Sequence, residues 1–266
     1  MNQNQVLLLS LLRAALFGEK LDASAFAEAN WKQILRLADI QTVSSLVLDG
    51  MGMLPTSALR MPLGEKLSHI GKLQRVEQVN MLHRCVIVKI DKALKSEGIP
   101  VVFMKGQTTA LRYPNLLHRT PGDIDFVVNP KDFKKTMEVL EKIGKVDHSL
   151  VHEHHGMAWV DGVTVEPHYK VHNYQSPSTD HAMQDMFASV FPSALSSADM
   201  DGYAVPVFPP TFESVFLISH MVNHVYEEGL GLRQVIDYAM FLHSCADKID
   251  WLQHHEYLHQ MHMERS

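Results

Sequence analysis

From the N-terminus to Ser96 the apolar positions recur at three- and four-residue steps, the period of a helix with one buried face. The pattern predicts helices over Gln5 to Phe17, Trp31 to Met51 and Gly64 to Ser96. In the last of these Leu67, Ile70, Leu73, Val76, Met81, Leu82, Ile87, Ile90 and Leu94 carry the stripe. Gly98 offers a left-handed residue just past the helix, and Pro100 prevents continuation. Leu54 to Gly64, LPTSALRMPLG, reads as a linker. Beyond Ile99 the period shortens. Val101 to Met104, Ile124 to Val128, Met157 to Val160 and Val163 to Tyr169 read as strands, with a further one over Ala204 to Phe208. A helix from Pro130 to Ile143 connects two of them. After Pro209-Pro210 the helical period returns, with Thr211 a good N-cap. Helices are predicted over Phe212 to Glu227, Leu232 to Ser244 and Trp251 to Met261. The expected division is a helical region over 1–97, an α/β core over 98–208 and a second helical region over 209–266, without repeats or low-complexity stretches.

Composition adds bounds rather than identity. The chain has 266 residues, 46% hydrophobic and 20% charged, which is ordinary for a globular protein with a sizeable core. A formal net charge of −6 argues against a broad electrostatic footprint for nucleic acid. Lys131, Lys134 and Lys135 then read as a solvated helix face. The two cysteines, Cys85 and Cys245, sit in helical patterns far apart. They suggest no disulfide framework or zinc knuckle and fit a reducing cytoplasm. The opening MNQNQVLLLSLLRAALFG lacks a basic leader and is interrupted by Arg13, so it reads as an amphipathic helix rather than a signal peptide. No apolar stretch reaches the length of a membrane span, and oligomeric state is not written in the pattern.

The stretch from Thr120 to Val128, TPGDIDFVV, carries the most chemistry. In a strand, residues i and i+2 share a face. Asp123 and Asp125 therefore leave one face together while Ile124 and Phe126 turn to the core. Two carboxylates about 7 Å apart along a strand call for a cation between them, and a divalent metal bound to nucleotide phosphates is the usual one. Upstream, a strand ending at Met104 runs into Lys105-Gly106 and a short helix beginning near Gln107. A helix N-terminus offers free N–H groups to phosphate, and glycine permits close backbone approach. Downstream, in VTVEPHYKVH, Glu166, His168 and Lys170 alternate onto one face, making Glu166 a candidate third carboxylate. Pro167 beside it marks a sheet edge. Arg119, four residues before Asp123, is placed to neutralise phosphate or to pair with an aspartate.

This order (strand, Lys-Gly, helix, Arg, a Gly-Asp-x-Asp strand, then a strand with an acid and a His) resembles the polymerase-β-type nucleotidyltransferases. Most of all it is similar to a bacterial branch described as uncharacterised nucleotidyltransferases. The likeness covers about Ile99 to Lys170 and extends weakly over Phe212 to Leu242, through HMVNHVYEEGLGLRQVIDYA. In one respect the chain departs from the superfamily, which usually has Gly-Ser or Gly-Gly about ten residues before the first Asp. Here Gly106-Gln107 stands there, with fifteen residues before Asp123. The Lys-Gly form is typical of the branch.

The resemblance implies an α+β fold, a polymerase-β-like core with a short mixed sheet, flanked by helical regions. It implies transfer of a nucleoside monophosphate from an NTP to a hydroxyl-type acceptor on a small molecule or protein, with release of pyrophosphate. Asp123 and Asp125 would hold a two-ion magnesium site, manganese being an alternative, with Glu166 as third ligand or base. Lys105, Gly106, Gln107, Arg119, Gly122 and His168 would handle phosphates and substrate. The acidic balance disfavours a nucleic-acid acceptor, and no membrane partner is implied. Two other readings share these residues: a non-catalytic nucleotide- or partner-binding protein, and a metal-dependent phosphohydrolase.

Seventeen histidines are unusual for this length. VHEHHG, from Val151 to Gly156, approaches the zinc-protease motif but has Gly156 where that motif needs its second histidine. His154 and His155 are candidates to line the nucleotide site. His220 and His224, one helical turn apart, either ligate metal or pack. Arg233 and Asp237 share a helix face and are expected to form a structural ion pair.

Overall fold

The computed structural model describes residues 1–149, 154–174, 176–227 and 229–264. Val151, His152 and Glu153 of the VHEHHG stretch lie outside the described residues. The chain divides into two compact units, one made of Met1–Met81, Ala110–Pro121 and Gly231–Met240, the other of Leu82–Thr109, Gly122–Leu230 and Phe241–Ser266.

The first unit is helical. It holds α1 (Gln3–Phe17), α2 (Trp31–Ile40), α3 (Ser44–Gly52) and the beginning of α4 (Leu63–Ser96). Asn2 and Gln5 close a reciprocal capping box at the start of α1, and Gly18 ends it in the left-handed conformation. Leu7, Leu11, Ile34, Val47 and Met51 form the buried centre. The single helix expected over Trp31 to Met51 is two, because Thr42 takes a φ of 54° between them and Asn30 caps only the first. A lone β-branched residue in the left-handed region cannot continue a helix. The crossing of α1 and α3 depends on Gly50, where an added Cβ would lie 2.3 Å from the Leu11 carbonyl oxygen. Gly50→Ala is therefore expected to destabilise the protein by about 2 kcal/mol, read as a lower urea midpoint. An unchanged midpoint would show that the two helices part at little cost.

The second unit contains the sheet. Its strands are β1 (Val101–Met104), β2 (Ile124–Val128), β3 (Lys145–Asp147), β4 (Met157–Val160), β5 (Val163–His168), β6 (Ser196–Met200) and β7 (Tyr203–Val207). They lie in the order β3-β4-β5-β2-β1-β7-β6, with β2 parallel to β5, β1 parallel to β7, and antiparallel pairs elsewhere. The sheet is mixed and the fold α+β. Every residue of β1 and β2 is buried, as expected for central strands covered on both faces. A single helical turn, α5 (Gln107–Ala110), follows β1, and α6 (Phe133–Ile143) packs on β3, β4 and β5. α7 (Pro177–Val190), α8 (Pro210–Glu227) and α10 (Trp251–Gln260) pack together, while α9 (Leu232–Cys245) begins in the first unit and ends in this one. Phe208 and Phe212, 4.6 Å apart, anchor the start of α8.

The β4–β5 and β6–β7 hairpins turn on Asp161-Gly162 and Asp201-Gly202, with positive φ at both residues of each pair. That is the combination that matches the twist of two-residue hairpins. Strands β3 and β6 and helix α7 were not expected from the apolar pattern. Pro167 does not mark an edge: β5 is interior, and the proline falls where the β4 register with β5, ending at the Ala158–Val165 pair, has stopped. Among the described residues no helix is long and apolar enough to cross a membrane.

Candidate active site

The register of two neighbouring strands assembles the site. Asp125 of β2 is the partner of Met104, the last residue of β1, on one side and of Glu166 of β5 on the other. Because β2 and β5 are in step, Asp125 and Glu166 share a face, and His168, two residues further along β5, shares it with them. Asp123 sits just before β2 begins. Chain entry to the site is made by Lys105 and Gly106, which leave β1 through consecutive left-handed residues with φ of 41° and 55°. Lysine at such a φ is strained, and the strain turns the backbone back over the strand ends. An added Cβ on Gly106 would stand 3.6 Å from the carbonyl oxygen of Asp123, ordinary contact, so the glycine serves the turn rather than clearance.

Lys105 Nζ lies 3.2 Å from Asp125 Oδ1 and 3.3 Å from His220 Nε2. His168 Nε2 lies 3.1 Å from the same Asp125 oxygen and 3.9 Å from Glu166 Oε2. The Asp125 side chain is 1% exposed. Burial alone would make it a weaker acid, but Lys105 and His168 outweigh that and hold it ionised well below the usual carboxylate range. Its two neighbours go the other way. Asp123 is raised, chiefly by the negative charge of Asp125 and then by burial. Glu166 is pushed up to about 7 by burial, by both aspartates and by a hydrogen bond with Asp123. Lys105, despite burial, is held protonated by the three carboxylates. One ammonium thus faces three acids, and the two less closely paired with it become weaker acids than usual. The oxygens and ring nitrogen of Asp125, Glu166 and His168 lie within 4.8 Å of one another, close enough for one metal ion to gather.

Histidines surround this cluster. His155 pairs with His168 across an isolated antiparallel bridge, and its Nε2 is 3.7 Å from Glu166 Oε2. His154 meets the His155 ring edge-on, with centroids 4.5 Å apart, and lies tilted against His168 at 5.4 Å. His220 touches His172 and His224, with ring centroids 5.9 and 4.5 Å apart. Burial and the surrounding cations lower His154 to about 3 and take His220 well below its ordinary value, so both are neutral imidazoles.

The expected site residues fare differently. Lys105, Asp123, Asp125, Glu166 and His168 are brought together. Gln107 is buried at the start of α5 and Gly122 is exposed immediately before Asp123. Arg119 belongs to the first unit, where its Nε and Nη2 each donate at 2.8 Å to the Asp237 carboxylate. A phosphate would have to compete with Asp237 for that guanidinium. Asp237 also accepts from the Tyr113 hydroxyl at 2.6 Å, and Arg233, expected as its partner, adds positive charge to this cluster. His220, which meets Lys105, went unrecognised as a site residue. Its i, i+4 spacing with His224 was visible in the sequence, but nothing there tied it to the end of β1.

The model of a family described as uncharacterised nucleotidyltransferase matches residues 27–266. The chain belongs to that family. As a nucleotidyltransferase it is a transferase by class, in agreement with the resemblance carried by Ile99 to Lys170. A search of curated proteins finds no match. Among solved structures, similarity is found to the solution structure of the antibiotic-resistance factor ANT(2'')-Ia, at 13% identity and a TM-score of 0.45, covering 70% of this chain and 96% of that one. The crystal structure of ANT(2'')-Ia in complex with adenylyl-2''-tobramycin gives 13% and 0.45, covering 67% and 98%. An antigenic nucleotidyltransferase-like protein from Paracoccidioides brasiliensis gives 15% and 0.42, covering 60% and 75%. In this nucleotidyltransferase the acids stand at the ends of β2 and β5, the two central strands that run parallel.

Proposed function

We propose that this nucleotidyltransferase moves a nucleoside monophosphate from a nucleoside triphosphate to a hydroxyl group of a small molecule or protein, releasing pyrophosphate, with magnesium as its cofactor. The observation that carries the reading is the convergence of Asp123, Asp125 and Glu166 on Lys105. Their chemistry fits a divalent ion: the acids are oxygen donors, and crowding with burial makes Asp123 and Glu166 weaker acids than usual, Glu166 to about 7. His168 beside them lets manganese serve as well. Bound there, such ions supply counter-charge to the triphosphate and acidify the acceptor hydroxyl.

Asp123 and Asp125 would hold the ions, with Asp125 kept in orientation by His168 and Lys105. Glu166 is the third ligand or the general base, and a carboxylate titrating near 7 suits the latter. In the transfer the acceptor oxygen bonds to the α-phosphorus, the bond from that phosphorus to the pyrophosphate oxygen breaks, and the hydroxyl proton passes to Glu166. Lys105, Gly106, Gln107 and Gly122 line the approach of the phosphates. The net charge of −6 favours a small-molecule or protein acceptor over nucleic acid.

The test is pyrophosphate release from each of the four NTPs with magnesium and a panel of hydroxyl acceptors, comparing wild type with Asp123→Asn. Pyrophosphate together with labelled acceptor, both lost in the variant, is the expected result. Inorganic phosphate in its place would mean hydrolysis, and absence of magnesium-dependent NTP binding by calorimetry would overturn the reading.

A further inference from the structure

Beside the carboxylates lies a second set of donors with different chemistry. One ring nitrogen from each of His154, His155 and His168 lies within 4.8 Å of those of the other two. Backbone pairing fixes two of the three: His155 bridges His168 across the sheet, Gly156 N donates to the Pro167 carbonyl and Tyr169 N to the His154 carbonyl. The side chains are thus held on a short antiparallel ladder rather than on a free loop.

Two of these rings carry an orphan. Among the described residues, Nδ1 of His168 and Nδ1 of His154 are buried without a hydrogen-bond partner. His168 is only 4% exposed. Buried polar atoms in native proteins nearly always have a partner, and an unseen ion is one explanation for those that do not. The other nitrogen of His168 meets Asp125 Oδ1 at 3.1 Å. A histidine that ligates a metal through one nitrogen commonly has its second held by a carboxylate, which fixes the tautomer and strengthens the ligand. Asp125 stands in that position.

We propose that His154, His155 and His168 form a binding site for a transition-metal dication, zinc above all, distinct from the magnesium site and joined to it through His168. Three imidazoles are poor ligands for magnesium and good ones for zinc, so the two sites sort the ions by chemistry. Zinc–nitrogen bonds of about 2.0–2.1 Å place tetrahedral ligand atoms about 3.4 Å apart, so ion binding draws the rings together by up to about 1.4 Å. The three protein ligands leave a fourth position open, as in zinc sites that admit water or substrate. Zinc bound here ties the His168 ring from behind and so fixes the Asp125 oxygen that it holds. The inference stands on the imidazoles alone, whether or not the chain transfers nucleotide.

The test uses the full chain, stripped with chelator and held in excess magnesium so that the acids are occupied. Zinc is titrated by calorimetry and cobalt by its visible absorption, which distinguishes tetrahedral nitrogen ligation from octahedral oxygen ligation. Wild type is expected to bind one tight equivalent with a tetrahedral cobalt spectrum. His154→Ala and His155→Ala should each weaken it by about 100-fold or more, since loss of an outer partner alone costs about 10–100-fold. Asp123→Asn should leave it in place. Circular dichroism of both histidine variants checks that they fold, and the pair guards against one failing to. Tight binding unchanged in both histidine variants would assign the ion to other histidines and overturn the proposal. Binding lost in Asp123→Asn but kept in His154→Ala would place it among the acids and overturn it equally.

Discussion

Asp125→Asn should leave less than about one-thousandth of the wild-type transfer rate, measured as labelled acceptor per minute at saturating NTP and magnesium. The amide keeps the shape of the side chain and removes the acid that Lys105 and His168 hold ionised. Its loss also changes the neighbours in a defined direction. Asp125 is the leading charge that raises Asp123 and, after burial, the leading cause for Glu166, so both should titrate lower in the variant. Lys105 loses its nearest counter-ion but keeps the other two acids. Breaking a buried pair outright costs about 3–5 kcal/mol; here the remaining carboxylates should limit the loss to about 1–3 kcal/mol, read from urea unfolding. A variant with near-normal turnover would remove Asp125 from the chemistry, whatever its effect on stability.

Glu166→Gln should separate stability from activity. In the folded chain Glu166 titrates at about 7 against an ordinary 4.5. Between those pH values the folded state holds a proton that the unfolded state has released, so stability falls as pH rises through the window. Screened by solvent on its open side, a shift of that size leaves a loss of about 1–2 kcal/mol, complete above pH 7. Glutamine cannot ionise, so the metal-free variant should be more stable than wild type by about that amount at pH 8 and equal to it near pH 4. Magnesium should reverse the order. Because the ion must displace the proton, it should raise the wild-type melting temperature more at pH 8 than at pH 6, and raise that of the variant little at either. Transfer activity of the variant should fall by about 100-fold or more, the scale of a lost general base. A magnesium-induced shift independent of pH would show that Glu166 meets no ion.

Much of this was legible because strands encode two things at once. Alternation places Asp123 and Asp125 together on one side of their strand and Glu166 with His168 together on one side of theirs, and continuous burial marks β1 and β2 as central. What alternation leaves out is which strands are neighbours. That Glu166 stands opposite Asp125 follows from the parallel pairing of β2 with β5, a long-range choice that no local spacing records. Strand β6 escaped because its side chains, SSADM, are mostly polar at an exposed edge, so it lacks the apolar signal. The Asp201-Gly202 pair after it was the available clue, and it specifies a hairpin more surely than the flanking residues do. Ser176-Pro177 similarly marks the start of α7, whose side chain and ring satisfy the cap and the first helical position. Arg119 shows the opposite limit: proximity in sequence to Asp123 suggested phosphate or one of the neighbouring aspartates, and no local spacing records the partner it has in the first unit, Asp237.

The clustered acids, the lysine and the histidine beside them all fall between Lys105 and His168, on three adjacent strands and the turns that end them. The fold thus carries them as one block. Insertions in the flanking helices, or at the hairpin turn of Asp161-Gly162, leave the alignment of Asp125 with Glu166 whole. A single extra residue between Ile124 and Val128 rotates every later side chain of β2 to the opposite face, undoing the core and the chemistry in one event. Length can therefore drift at the margins of this protein while its centre admits only substitution.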